Sequence, residues 1–308
     1  MARIFGIIAQ EKKKEDVIFM FTLSTDTSCD VMRDELDKLG IPWVPLTFTI
    51  NGETFPDDFT RDEQYKDFYA KVRAGAMPTT SQITAFTHEE YFEKLVAGGA
   101  KDIVHLTLSG GLSATYQSAC LGAKAVAERH PDVTINIVDT LCATQVHHMV
   151  LDDALELRNK GLGGSEAAKL LNEETKKIHV WIIVDDLKHL RRGGRVSDVA
   201  AAIGTLLNIK PMIVFDKEGK LKVMHKAKGF KKALDYVLEY MDEWAPNADT
   251  VYMAHADAAE KAEEMKALIK SKRPDCDVRY GWCGPVIGAH TGAGMLGIIF
   301  KSEKERPQ

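Results

Sequence analysis

The chain has 308 residues, of which 45% are hydrophobic and 28% charged, with a formal net charge of −5. That length allows about two domains with a well-buried core, and the charge gives no electrostatic reason to expect a nucleic acid or an acidic membrane surface as partner. The five cysteines, Cys29, Cys120, Cys142, Cys276 and Cys283, are odd in number and form no CxxC pair, which argues against a disulfide framework or structural zinc and fits a reduced cytoplasm.

The opening MARIFGIIAQ lacks the basic start and cleavage site of a signal peptide, and no apolar run reaches membrane-spanning length. A cytoplasmic protein with no stable membrane insertion is expected. The charged run at 12–16 reads as a solvated surface segment. Residues 17–23 form a nearly continuous apolar run, which suits a strand covered on both faces in a parallel sheet. Helical spacing follows over 30–39 and stops at Gly40. A second strand is predicted over 43–50, and Asn51-Gly52 is a hairpin turn leading into Glu53-Thr54-Phe55. Thr60 and Glu63 match a capping box for a helix reaching Ala74. Residues 75–85 read as an irregular segment carrying Pro78-Thr79-Thr80-Ser81-Gln82. Thr87 and Glu90 match a second capping box, for a helix over 88–98.

A β-rich strand over 102–108 arrives at Gly110-Gly111, and Ser113 is placed to cap a helix running to about His130. Another strand, 133–138, delivers Asp139-Thr140 to a sheet edge. A helix near 145–160 ends at Gly161, and Ser165 caps the next, through Lys177. The pattern then shifts, so the chain divides into an N-terminal domain, 1–170, with a small hairpin excursion at 43–60, and a C-terminal domain, 171–308. The second part is predicted as a strand at 179–184 and a polar turn at 187–195 ending in Arg191-Arg192-Gly193-Gly194-Arg195. After a short helix, strands at 209–215 and 221–227 flank the turn Lys217-Glu218-Gly219-Lys220. Helices at 230–244 and 257–272 alternate with strands at 250–254, 277–282 and 295–300, and the tail SEKERPQ reads as disordered. The fold class is α/β with two domains: a parallel-sheet α/β/α domain, then a mixed-sheet α/β domain.

Three stretches carry the candidate chemistry: Ser109 through Ala119, Thr80 with its neighbours, and Gly284 through Gly294. The first sets hydroxyls and two glycines between a strand and a helix start, where unpaired N–H groups attract anions. Taken alone, such hydroxyls commonly do no more than cap a helix. In open α/β sheets, however, the ligand crevice lies beyond the carboxyl ends of the strands, where these stretches fall.

From residue 16 to 300 the chain resembles the DegV family of bacterial fatty-acid-binding proteins. The resemblance rests on Asp26-Thr27, Val44-Pro45-Leu46, Thr80-Ser81-Gln82, Leu112 through Ala119, Val138-Asp139-Thr140, Gly193-Gly194-Arg195, Ile209-Lys210-Pro211 and Gly284 through Gly294, in that order. It implies a long-chain fatty acid in a tunnel between the domains, its carboxylate held by the hydroxyls of Thr80 and Ser113. His290 and Arg195 belong to the same polar neighbourhood. Ser81, Thr115 and Thr291 are further carboxylate candidates, and Arg195 with Arg192 is assigned to the site or to partner docking. The resemblance also implies that the bound acid is presented to a separate fatty acid kinase, which makes an acyl phosphate from it. The chain would then be a lipid-binding carrier with no catalytic residues, cofactor or metal of its own.

The chain departs from the family pattern in places. Ala114 stands where the family has Gly, Ala293 and Ile83 replace prolines, and Thr144, Gln145, His147 and His148 follow Asp139-Thr140 in place of Ser and Gly. The carboxylate ligands survive these changes. Chemically, a buried carboxylate requires several donors or a cation. Burying about fourteen methylenes at ~0.8 kcal/mol each contributes roughly 11 kcal/mol before ordering costs. Two other readings stay open. One is an acyl hydrolase with Ser113 as nucleophile and His290 as base, although Gly111-Leu112-Ser113-Ala114-Thr115 misses the GxSxG elbow at Thr115. The other is a hydroxyketone-binding subunit of a kinase, although no GxxxxGK[ST] loop is present.

Overall fold

The computed structural model describes residues 21–185, 187–196 and 208–307; the start of the predicted first strand and the short helix before residue 209 lie outside the described residues. Strand β1 (Thr22–Asp26) is followed by helix α1 (Arg33–Lys38), with Asp34 and Glu35 in its first turn and Lys38 in its last, the charge order that suits the helix dipole. The strand predicted over 43–50 is two strands in different sheets, β2 (Trp43–Val44) and β3 (Thr47–Ile50). Pro45 lies at the break and has no N–H to continue the ladder. The hairpin to β4 (Glu53–Pro56) turns at Asn51-Gly52 as expected, with φ of 53° and 86°.

Helix α2 (Asp62–Arg73) is capped by Gln64 rather than Glu63: its Oε1 accepts from the N–H groups of Thr60 and Arg61 at 3.0 and 3.2 Å. The segment expected to be irregular contains strand β5 (Thr79–Ser81), which pairs antiparallel with β3 and sets Thr80 opposite Phe48. Helix α3 (Ala85–Ala97) begins earlier than predicted, because Thr84 is the cap and its Oγ1 accepts from Thr87 N at 3.1 Å.

Strand β6 (Asp102–Thr107), helix α4 (Thr115–Arg129), strand β7 (Thr134–Asp139) and helices α5 (Gln145–Asn159) and α6 (Gly164–Glu174) complete the first unit. Its four-stranded sheet is parallel throughout, in the order β2-β1-β6-β7, and β4-β3-β5 form a small separate antiparallel sheet. Two caps differ from expectation. Ala114 occupies the cap position of α4, so Ser113 lies one residue outside it, and Gly163, not Ser165, precedes α6.

The second unit runs β8 (Ile178–Ile183), α7 (Lys188–Gly193), β9 (Ile209–Phe215), β10 (Leu221–Lys228), α8 (Phe230–Trp244), β11 (Thr250–His255), α9 (Ala259–Lys272), β12 (Asp277–Trp282), α10 (Pro285–Thr291) and β13 (Leu296–Lys301). Its sheet has the order β10-β9-β8-β13-β11-β12 and is antiparallel except for β11 with β12. Both faces are covered, which is why β8 is buried along its whole length. Val180 and Ile182 join the core shared with the first sheet, while Trp181 and Ile183 pack under α8 and α9 with Leu234, Val237 and Met265. The predicted polar turn over 187–195 is in fact α7, which buries Leu190 and is capped by Gly194 at φ 66°. The tail predicted to be disordered is tied down. Ser302 Oγ donates to Trp244 O at 2.6 Å, and the guanidinium of Arg306, 3% exposed, donates to Leu141 O and Thr175 O at 3.3 and 3.1 Å.

The two sheets meet along a mixed seam. Tyr69 Oη donates to Cys283 O at 2.6 Å, Trp282 Nε1 donates to Asp62 at 2.9 Å, and Arg73 pairs with Asp257 at 2.7 Å. Among the described residues no helix is long and apolar enough to cross a membrane.

Candidate functional site

The site begins where the parallel strands end. Asp26, closing β1, accepts from Leu108 N at 2.7 Å and from the N–H and hydroxyl of Ser28 at 2.9 and 2.6 Å, so it ties the ends of β1 and β6 together. Burial raises its pKa to about 6 against those three bonds. His147, 3.9 Å away, is pushed down to about 3 by burial, so this is contact with a neutral ring and not an ion pair. Beyond Leu108 the chain turns at Ser109-Gly110-Gly111. Asp139, at the end of β7, holds the turn by accepting Gly110 N at 3.2 Å and Leu141 N at 2.9 Å.

Between the carboxyl edge of this sheet and the second unit lies a cavity of about 720 Å³, within the range of small-molecule sites. One part of its wall is polar: Thr80, Ser81, Gln82, Ser113, Arg195 and His290. Another part is apolar: Leu46, Leu108, Leu190, Leu221, Val286 and Ile287. Thr80 and Ser113, drawn from β5 and from the loop before α4, therefore open onto the same space.

Most of the predicted residues gather here. Thr80 Oγ1 lies 2.9 Å from His290 Nε2. Ser81 is exposed and lines the cavity, and Thr291 lines it with its hydroxyl donated back to Ile287 O at 3.3 Å. Thr115 is fully buried and not part of the wall; its hydroxyl lies 2.9 Å from Ser113 Oγ, so it orients that serine from behind. Arg195 is exposed at the wall and donates to Leu112 O at 3.4 Å. Arg192 is also outside the wall. It donates to Met77 O at 3.0 Å and Pro78 O at 2.5 Å, and reaches Ala289 O at 3.5 Å, so it pins the strand bearing Thr80 to the helix bearing His290. Sequence reasoning did not single out the apolar lining or Lys220, which also borders the cavity. Leu46, Val286 and Ile287 lay inside quoted motifs, whereas the Lys220 turn carried no signal beyond that of a hairpin.

The glycines of Gly193-Gly194-Arg195 have separate reasons. A Cβ on Gly193 would fall 2.3 Å from His290 Nδ1, so the imidazole packs against bare backbone, while Gly194 supplies the left-handed cap of α7. His290 Nδ1 has no hydrogen-bond partner. Burial, with the charges of Arg195 and Arg192 and the neighbouring His189, pushes this imidazole down to about 4, so it is neutral near pH 7. A proton on Nδ1 would be a buried donor with nothing to bond. It is assigned instead to Nε2, which donates to Thr80 and leaves the Thr80 hydroxyl proton free for an acceptor in the cavity. Ser113, by contrast, is bonded to Thr115 and not to His290, so the pair lacks the nucleophile-to-base hydrogen bond of a hydrolase.

Known proteins resemble this chain in sequence and in fold. A family profile described as "Uncharacterised protein, DegV family" matches residues 20–303. A DegV domain-containing protein of Clostridium perfringens is 35% identical over 289 residues, covering 93% of this chain and 99% of its own. Among solved structures, a DegV family protein from Thermus thermophilus described as fatty acid binding has a TM-score of 0.80 at 28% identity, covering 91% of this chain and 99% of that one. DegV from Bacillus subtilis, described as a fatty acid binding protein, has a TM-score of 0.78 at 28% identity, covering 92% of this chain and 99% of that one. With a family match over residues 20–303 and a fold shared over about nine-tenths of its length, the chain belongs to the DegV family.

Proposed function

We propose that this protein binds a long-chain fatty acid in the cavity, with the carboxylate on the hydroxyls of Thr80 and Ser113, and presents that carboxylate to a partner fatty acid kinase for acyl-phosphate formation. The observation that carries the reading is the meeting of Thr80 and Ser113, from separate elements, on one cavity whose remaining wall is largely apolar. The fatty acid binding described for the Thermus and Bacillus relatives points the same way.

The chemistry is that of charge-assisted hydrogen bonds. Two hydroxyls donating to an oxyanion are each roughly twice as strong as neutral pairs, and His290 keeps Thr80 turned to the ligand. Ser81 stands at the same wall as a further donor, Thr291 lines the wall with its hydroxyl proton given to Ile287 O, and Thr115 acts through Ser113. The acyl chain then takes up the apolar part, where Leu46, Val286 and Ile287 exclude water. Arg195, exposed at the rim, is the residue we assign to partner contact. In this reading the first unit supplies the hydroxyls of Thr80 and Ser113, and the second supplies His290 and Arg195.

Denaturing mass spectrometry of the purified protein is the direct test. A long-chain acid at about one per chain is expected, and a Thr80→Ala, Ser113→Ala double variant is expected to lose it. A chain that releases no acid, or a double variant that keeps it, would overturn the reading. With a cognate kinase present, Arg195→Ala is expected to lower acyl-phosphate formation more than it lowers lipid occupancy.

A further inference from the structure

The segment that follows β13 returns to the first unit. Arg306 N donates to Lys176 O at 2.9 Å, and the buried guanidinium donates to Thr175 O at 3.1 Å and to Leu141 O at 3.3 Å. Leu141 stands at φ 52°, in the left-handed region that favours glycine, so its conformation has to be held by its surroundings. It is held from both ends: Asp139 Oδ1 accepts its N–H at 2.9 Å, and Arg306 donates to its carbonyl.

The loop that leads to Ser113 rests on this point. Ser109 N donates to Cys142 O at 2.9 Å, and Asp139 also accepts Gly110 N at 3.2 Å. From the second unit the β9–β10 turn presses on the same place. Ser109 Oγ donates to Gly219 O at 2.8 Å, and a Cβ on Gly219 would fall 2.1 Å from that hydroxyl and 3.0 Å from Leu141 Cα. Asp216 Oδ1 fixes this turn by accepting the N–H groups of Glu218 and Lys220, both at 2.9 Å.

Arg306 thus sits with two carboxylates, one from each turn. Burial works against its charge, and Asp216 and Asp139 offset that cost. The other titratable groups here carry no competing charge inside. Burial pushes the Cys142 thiol up to about 12 and His179 down, so both are neutral, and it raises Tyr116 and Cys120 of α4, which face Asp139. Lys220 pairs with Glu218, and Lys176 and Lys177 pair with Glu173 and Glu174, all at the surface. Arg306 itself does not line the cavity.

We propose that Arg306 is a positioning residue for the headgroup loop: it holds the turn after β6 against the β9–β10 turn, and so slows the escape of bound lipid without touching it. The inference rests on the cavity being the fatty-acid site.

The test sets Arg306→Gln, which removes the charge, beside Arg306→Lys, which keeps it, in the full chain. In Arg306→Gln, amide exchange at Gly110 and Leu141 is expected to quicken and hexadecanoate to leave roughly fivefold faster. The Asp139 carboxyl, which burial already raises and Arg306 lowers, is expected to titrate at a higher pH in that variant, read by carbon NMR. Arg306→Lys is expected to keep the Asp139 midpoint and to release hexadecanoate within about twofold of wild type, because a point charge answers the carboxylates without the planar fork. A folded Arg306→Gln with wild-type release and wild-type exchange at Gly110 would overturn the proposal, as would an Arg306→Lys that loses lipid as fast as Arg306→Gln. If Arg306→Gln does not fold, the lysine variant decides: release within about twofold of wild type supports the proposal, and release fivefold faster or more overturns it. Wild-type protein that takes up no hexadecanoate would remove the fatty-acid reading, and amide exchange at Gly110 and Leu141 would then decide the positioning role.

Discussion

Single residues decide how the headgroup is met. His290 is kept neutral, at about 4, by burial and by the nearby arginines. A carboxylate on Thr80 would set an opposite charge close to the ring, which favours the imidazolium, so the shift on ligand binding is upward. NMR of the His290 imidazole is expected to titrate near 4 in lipid-free protein and higher with the acid bound; a midpoint that does not move would mean that the headgroup sits elsewhere. The residues that could be picked out in the sequence were those whose chemistry is unusual for their place: hydroxyls crowded before a helix, and a histidine among glycines. Thr115 and Arg192 were picked out with them but act one step back, since a sequence shows which groups are present and not which way they face. Lys220 could not be found that way, because a lysine in a hairpin turn is ordinary until Gly111 is seen beneath it.

Elements set those residues in position, and most were readable because their periodicity was strong. The helix over Phe230–Trp244 and the hairpin of β9 and β10 fall where apolar spacing put them. Errors gathered where tertiary contacts outweigh local signals. β5 is only three residues long and exists because β3 offers it an edge, and α7 is a single short helix whose polar sequence buries Leu190 alone. Contact between elements also explains the glycine pair after β6. Gly111→Ala would push its new methyl into the backbone of the β9–β10 turn, an overpacking expected to cost about 1–3 kcal/mol. Urea unfolding reads the loss, and faster release of bound lipid is expected alongside it. A variant of unchanged stability would show that the turn yields freely.

At the scale of the whole molecule, the cavity belongs to neither sheet alone, so stability and ligand binding share the same seam. Tyr69→Phe removes the bond to Cys283 O and leaves a buried carbonyl without its donor, a loss expected at about 1–2 kcal/mol in urea unfolding. A single cooperative transition is expected, because one apolar core includes Leu23 and Leu106 of the first sheet and Val180 and Ile299 of the second. The succession of a parallel and then a mixed α/β sheet was readable from the change in pattern after residue 161, while α6, Gly164–Glu174, runs through the boundary expected at 170. The seam was not, since its partners lie far apart in the chain. β13, Leu296–Lys301, is the last strand among the described residues yet lies in the middle of its sheet, between β8 and β11. The strands on either side of it are made earlier and stay unjoined until residues 296–301 arrive, so that sheet closes as a whole and not strand by strand.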